Sequence, residues 1–168
     1  MIKRSHLYAA TVALLAQVAP AAVAVNLPNE ITASGDKVVL QVHAEGAQIY
    51  QCKATASGGL SWQFREPIAA LFRDGVTVGR HYQGPTWEIQ GSTVAGKVAA
   101  RAPGATSKDI AWLRLDVSDS QGDGPLKEVT IVQRINTRGG EFAGECDKVG
   151  ELFAVPYGAD YIFLRHGS

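Results

Sequence analysis

A chain of 168 residues with 16 basic and 16 acidic side chains has a formal net charge of zero, and 46% of it is hydrophobic. That balance gives no electrostatic footprint for nucleic acid and none for an anionic membrane surface. The length suits one domain that buries a core of its own.

Lys3 and Arg4 lead into the apolar run Leu7 to Val18, followed by the small-residue segment Ala19 to Ala24. These are the charged, apolar and cleavage regions of a secretory signal peptide, with cleavage expected after Ala24. The run is too short for a membrane span, which needs roughly 20 residues. Residues 1–24 are therefore read as a signal peptide and 25–168 as a single all-β domain, periplasmic or secreted. Without Lys3 and Arg4 the count becomes 14 basic against 16 acidic residues. The only cysteines, Cys52 and Cys146, are an even pair in an exported chain and are expected to form a disulfide.

Beyond the leader, short alternating segments bounded by Gly, Pro and Asp recur with no helical period. Val38 to His43 is the first strand, and Gly46 opens a second over Ala47 to Cys52. Leu60 to Glu66 presents Leu60, Trp62 and Phe64 to a core face. Pro67 marks a break or an edge, after which Ile68 to Arg73 resumes. Asp74-Gly75 predicts a hairpin with Val76 to Tyr82. A three-residue loop, Gln83-Gly84-Pro85, would set Tyr82 opposite Thr86, His81 opposite Trp87 and Arg80 opposite Glu88.

After the turn at Gln90-Gly91-Ser92 comes Thr93 to Arg101, in which Gly96 marks a bulge or a close crossing. Ala102 to Asp109 reads as a loop, Ile110 to Val117 as a strand and Ser118 to Pro125 as a polar loop. Glu128 to Ile135 is a strand with Val129, Ile131 and Ile135 inward and Thr130, Val132 and Arg134 on the other side. A loop-rich stretch holding Cys146 precedes two short strands, Leu152 to Val155 and Asp160 to Leu164. About ten short antiparallel strands fit a β-sandwich or a closed β-barrel.

The densest cluster of chemistry surrounds the Gly84-Pro85 turn: Arg80, His81, Tyr82, Trp87 and Glu88. An aromatic face beside an imidazole and a carboxylate suits a carbohydrate ring, another small molecule or a protein partner. The same residues also suit a packed hairpin end, with Arg80 and Glu88 as an exposed cross-strand pair contributing ~0 to 1 kcal/mol. Past the leader the histidines are His43, His81 and His166, scattered along the chain, although His43 and His81 are the two that a folded sheet brings near Glu45 or Glu88; no metal or other cofactor is expected. No Gly-x-Ser-x-Gly elbow is present. The sequence reads as a non-enzymatic ligand- or partner-binding module. The alternatives are a small extracytoplasmic hydrolase using His81 and Glu88 as acid and base, and an inhibitor-like envelope protein presenting an exposed aromatic loop.

Several ordered segments also carry a resemblance: Gln48-Ile49-Tyr50-Gln51-Cys52, Val78 to Tyr82 with Gly84 to Glu88, Gly96-Lys97-Val98, Ile131 to Thr137 with Gly139-Gly140, Cys146, and Val155-Pro156-Tyr157 with Ala159-Asp160-Tyr161. Together they resemble the exported family known as domain of unknown function 3455, over nearly the whole chain past the leader. The resemblance implies an exported single domain with paired cysteines and supplies no catalytic residue.

Overall fold

The computed structural model describes residues 26–167; the expected signal peptide and its cleavage after Ala24 lie outside them. A 3-10 turn, Asn29–Ile31, precedes eight strands: β1 (Lys37–Ala54), β2 (Leu60–Arg73), β3 (Val76–Tyr82), β4 (Thr86–Ile89), β5 (Ser92–Ala102), β6 (Trp112–Gly122), β7 (Ile131–Gly139) and β8 (Leu152–Arg165). Each pairs antiparallel with the next, and β8 returns to β1 from Lys37 opposite Arg165 to Gln51 opposite Leu152. The sheet closes as a barrel in sequence order, which removes free edges along most of its length.

Eight strands stand where about ten short ones were expected, because three expected breaks are absorbed. Gly46 continues β1: a Cβ there would collide with the Ile68 carbonyl and with Ala69, so its bare backbone lets β2 approach closely. Pro67 lies inside β2 opposite Gln48, yet the β2–β3 ladder reaches only to Ala69 opposite His81. Its missing N–H therefore falls on an unpaired edge. Pro156 similarly pairs with Ala47 within a continuous β8.

The hairpins follow the expected register. Arg73 faces Val76 across Asp74-Gly75, and Tyr82, His81 and Arg80 face Thr86, Trp87 and Glu88. The polar stretch after Val117 differs from its expected loop. β6 runs on to Gly122, with Asp119, Ser120 and Gln121 opposite Ala95, Val94 and Thr93. Its ladder with β7 ends at Asp116 opposite Ile131, so most of this arm meets water and needs no apolar alternation.

The core fills the barrel. Leu40, Val42 and Ala44 of β1, Leu71 of β2, Trp87 and Ile89 of β4, Val94 of β5, Leu113 and Leu115 of β6, and Tyr161 and Phe163 of β8 are all buried in it. Leu126 and Val129, from the β6–β7 connection, join the same cluster; the Ser92 hydroxyl accepts from the Leu126 amide at 3.0 Å. That end is plugged.

The facing of β7 corrects the sequence reading. Val132 opposes Phe163 and Leu115, and Arg134 opposes Tyr161 and Leu113, so Val132 and Arg134 face the interior. Ile131 and Ile135 lie on the outer side. Ile135 is buried there by Ile31, Ala102 and Leu27, the last two from β5 and the N-terminal segment. Gln133 on the same side donates to the Ile31 carbonyl at 2.6 Å. An outer face covered by the chain's own N-terminal segment looks, in sequence, like an inner one.

Candidate functional site

The end of the barrel opposite the Leu126 plug is not filled. The β1–β2 hairpin, the Gln83–Pro85 turn and the β5–β6 and β7–β8 connections surround a cavity of about 660 Å³ there. Tyr50, Trp62, Phe64 and Phe142 supply aromatic wall; Gln48, His81, Leu113 and Arg134 lie deeper; Arg65, Arg101 and Glu141 carry the charges of its margin.

The wall is held from two directions. Tyr50 donates its hydroxyl to the Gly140 carbonyl at 2.8 Å and accepts from the Phe142 amide at 3.2 Å. Its ring meets Phe64 and Phe142 edge-on at 5.9 and 5.7 Å, a favoured aromatic geometry. Burial pushes the Tyr50 hydroxyl pKa up, and nearby Glu141 adds to this against the Phe142 amide and Arg134. Phe142 also packs on Phe153 and Trp62. The Cys52–Cys146 disulfide, as expected, ties the β7–β8 connection to the hairpin. Cys146 and Trp62 add backbone bonds to Leu60 and Gly144 across the same seam. Leu60, Trp62 and Phe64 were expected on a core face. Phe64 is instead 52% exposed, because β2 extends past the barrel into the mouth.

Below the wall, His81 is 2% exposed and Trp87 1%. His81 Nδ1 lies 2.8 Å from the Thr86 carbonyl. A carbonyl only accepts, so Nδ1 carries the proton and, in the neutral ring, Nε2 keeps a lone pair. Burial lowers the His81 pKa to about 3, against the Thr86 bond and aided by Arg134. The ring is neutral at ordinary pH.

Arg134 donates from Nε and Nη2 to the Ala111 carbonyl at 3.1 and 2.8 Å. Among the described residues no carboxylate forms an ion pair with it. Tyr161 is fully enclosed; burial raises its pKa, and Arg134 partly offsets that. Gln48 is 3% exposed, and its amide nitrogen has no acceptor.

The five residues singled out around the Gly84-Pro85 turn divide between the two faces of the sheet. His81 and Trp87 are interior, and His81 alone of the five lines the cavity. Arg80, Tyr82 and Glu88 are on the outside, where Arg80 reaches Glu88 Oε2 at 3.0 and 2.7 Å. Arg80 also lies over the Tyr82 ring at 5.0 Å. Alternation along β3 and β4 dictates this division, since neighbouring residues point to opposite faces. His81 and Glu88 are thus not brought together as an acid–base pair, and Trp87 is not part of an exposed loop.

His43 pairs with Glu45 on the outer surface, as a folded sheet allowed, but His81 does not join them. His43 Nε2 meets Glu45 at 2.7 Å and Nδ1 meets Asp160 at 2.8 Å. Among the described residues no three His, Cys, Asp or Glu converge as metal ligands do.

Sequence reasoning missed Tyr50, Phe142 and Gln48 as site residues. One signal was available for Arg134: a cation two positions after Val132, on the same face of the strand, is costly to bury and is therefore informative. Nothing local linked Tyr50 to Phe142, which are 92 residues apart in sequence and meet only in the folded barrel.

No curated protein and no solved structure matches this chain. A family model does, over residues 33–77 and 73–165, spanning the barrel from the approach to β1 through the end of β8. By that match the chain belongs to the family described as protein of unknown function (DUF3455).

Proposed function

We propose that this protein is an exported, non-catalytic binding module that holds a small ligand in the mouth of its barrel. The observation that carries the reading is the cavity of about 660 Å³ with aromatic walls and a few polar groups beneath them. Ligand pockets typically have this size and this mixture, and eight-stranded barrels commonly hold one small ligand. Within the proposal His81 and Arg134 form the polar floor and Trp87 supports it from behind. Arg80, Tyr82 and Glu88 satisfy one another outside and are assigned to the stability of the β3–β4 hairpin.

Export rests on the signal pattern of residues 1–24. The disulfide suits an oxidising compartment. No helix among the described residues is long and apolar enough to cross a membrane.

Native mass spectrometry of protein purified from an oxidising compartment tests the reading. The expected species begins at Val25, carries the intact disulfide and takes up a small molecule, and Val98→Trp, which fills the mouth, suppresses the uptake. Failure of the wild-type protein to bind any member of an amphiphile, sugar and aromatic panel would overturn it.

A further inference from the structure

We propose that the mouth cavity takes an amphipathic organic anion, with its planar or chain-like apolar body between the aromatic walls and its carboxylate or sulfonate head on the guanidinium of Arg134. This rests on the binding reading above and names the ligand class for that same cavity.

Arg134 carries the argument. It points into the barrel from β7, at the position opposite Tyr161 and Leu113, and lines the cavity. The Ala111 carbonyl accepts from both Nε and Nη2 and Tyr161 is a further hydrogen-bonding neighbour, so part of the guanidinium's donor set remains for a ligand in the cavity. Arg134 is partly withdrawn from water, where a cation gains from an anion beside it, and the described residues offer it no ion-pairing carboxylate. The neighbouring imidazole is neutral and supplies no countercharge. Gln48 adds a buried amide nitrogen that has no acceptor. An anionic head is the chemistry that answers both, and a guanidinium is suited to hold it through parallel hydrogen bonds.

The remaining charges act in the same direction. Arg65 and Arg101 lie at the margin against one acid, Glu141. Arg65 is engaged with Glu66 at 3.0 Å, while Arg101 is exposed and draws an anion inward. A neutral sugar would meet the hydroxyl and amide groups but leave Arg134 uncompensated. A cation would be repelled. Phe64, half exposed at the mouth, gives the apolar body a surface that the protein's own residues leave open.

The test compares two fluorescent probes with one ring system, anilinonaphthalene sulfonate and its neutral counterpart phenylnaphthylamine, on the oxidised protein and on Arg134→Gln, Arg134→Lys and Val98→Trp. We expect the sulfonate to bind more tightly than the neutral probe. Arg134→Gln should weaken the sulfonate at least about tenfold and the neutral probe less than about twofold, since a hydrogen bond to a charged group is worth that much. Val98→Trp should weaken both. Equal affinity for the two probes in the wild-type protein, or equal loss of both in a folded Arg134→Gln protein, would overturn the anion inference and leave the binding reading intact. Binding of neither probe would overturn the anion inference, whereas the binding reading falls only if the wider panel of amphiphiles, sugars and aromatics also fails to bind.

Displacement of the bound probe from the wild-type protein by decanoate and by decanol serves if Arg134→Gln does not fold. Decanoate should compete well ahead of decanol, and parity would overturn the inference.

Discussion

The imidazole of His81 lies flat on the indole of Trp87, with ring centroids 4.6 Å apart and planes 8° apart. Tyr161 meets both rings edge-on, at 5.1 and 5.3 Å. Cross-strand pairing produces the stack: the two residues are directly opposed on β3 and β4, on the face that the barrel closes over. The imidazole behaves there as a core ring with one hydrogen bond to the Thr86 carbonyl. Its proton affinity is a property of the core as much as of the cavity above it.

A pH dependence with a definite sign follows. The His81 pKa falls to about 3 in the folded protein, from an ordinary 6.5. The unfolded chain therefore binds more protons between those values, and this residue's contribution to stability is lost as pH drops from 6.5 toward 3. His81→Phe keeps an aromatic ring against Trp87 but cannot titrate. It should lower stability at pH 7, because the Thr86 carbonyl loses its donor, yet flatten the decline on acidification. Urea midpoints of both proteins at pH 7 and pH 4.5 measure the difference. Parallel declines would contradict the assignment.

His43 should act with the opposite sign. Burial lowers its pKa, but hydrogen bonds and charges from Glu45 and Asp160 more than offset this, and the net value is raised above 6.5. The groups facing it are those two carboxylates, which are in turn held by Arg138 at 3.2 Å and Asn136 at 2.8 Å. A raised folded value means that the stabilisation is fully present below pH 6.5 and disappears as pH rises through the folded value. His43→Gln should thus cost more stability at pH 5.5 than at pH 8.5. Added salt should shrink the difference, because the cluster is partly exposed. Denaturation at the two pH values, with and without 0.5 M salt as an order-of-magnitude screen, of roughly 4 to 5 Å Debye length, checks both statements.

These two histidines also mark how far the sequence could be read. Each hairpin was legible, because Asp74-Gly75 and Gln83-Gly84-Pro85 determine pairing within a few residues, and the opposition of His81 and Trp87 follows from loop length alone. Closure was not legible. It depends on β1 meeting β8, as His43 meets Asp160, across most of the chain. The division of the expected site also needed that closure, since only a barrel decides that His81 looks inward while Glu88 meets water. Arg134 was assigned to the wrong side because Ile131 and Ile135 look more core-like than Val132, until Ile31 is known to cover Ile135.

Gly96 offers a test of packing beside the stack. A Cβ there would lie 3.1 Å from Leu115 Cβ and 3.4 Å from Trp87 Cζ3, and the β5–β6 register shifts between Ala95 and Gly96. Both expected roles, bulge and close crossing, are present. Gly96→Val should destabilise the protein by about 1 to 3 kcal/mol through overpacking. Gly96→Ala should do less, since one methyl group is partly compensated by a less flexible unfolded chain. Near-ultraviolet circular dichroism should change with Gly96→Val if the Trp87 ring is displaced.

The disulfide joins stability to the mouth. Cys52 and Cys146 are separated by 94 residues in sequence, and chain-entropy reasoning assigns about 4 to 5 kcal/mol to a loop of that size, with 2 to 4 typically realised. Cys52→Ala with Cys146→Ala should therefore lower unfolding free energy by about 2 to 4 kcal/mol. The loss should also be local before it is global, because the segment that Cys146 anchors carries Phe142 onto Tyr50 and Trp62. Amide exchange over residues 141–151 should accelerate in the double variant, whereas amides of β3 and β4 should follow only the change in global stability. Uniform acceleration across the barrel would mean that the bond stabilises the whole fold and has no special part in holding the wall of the cavity.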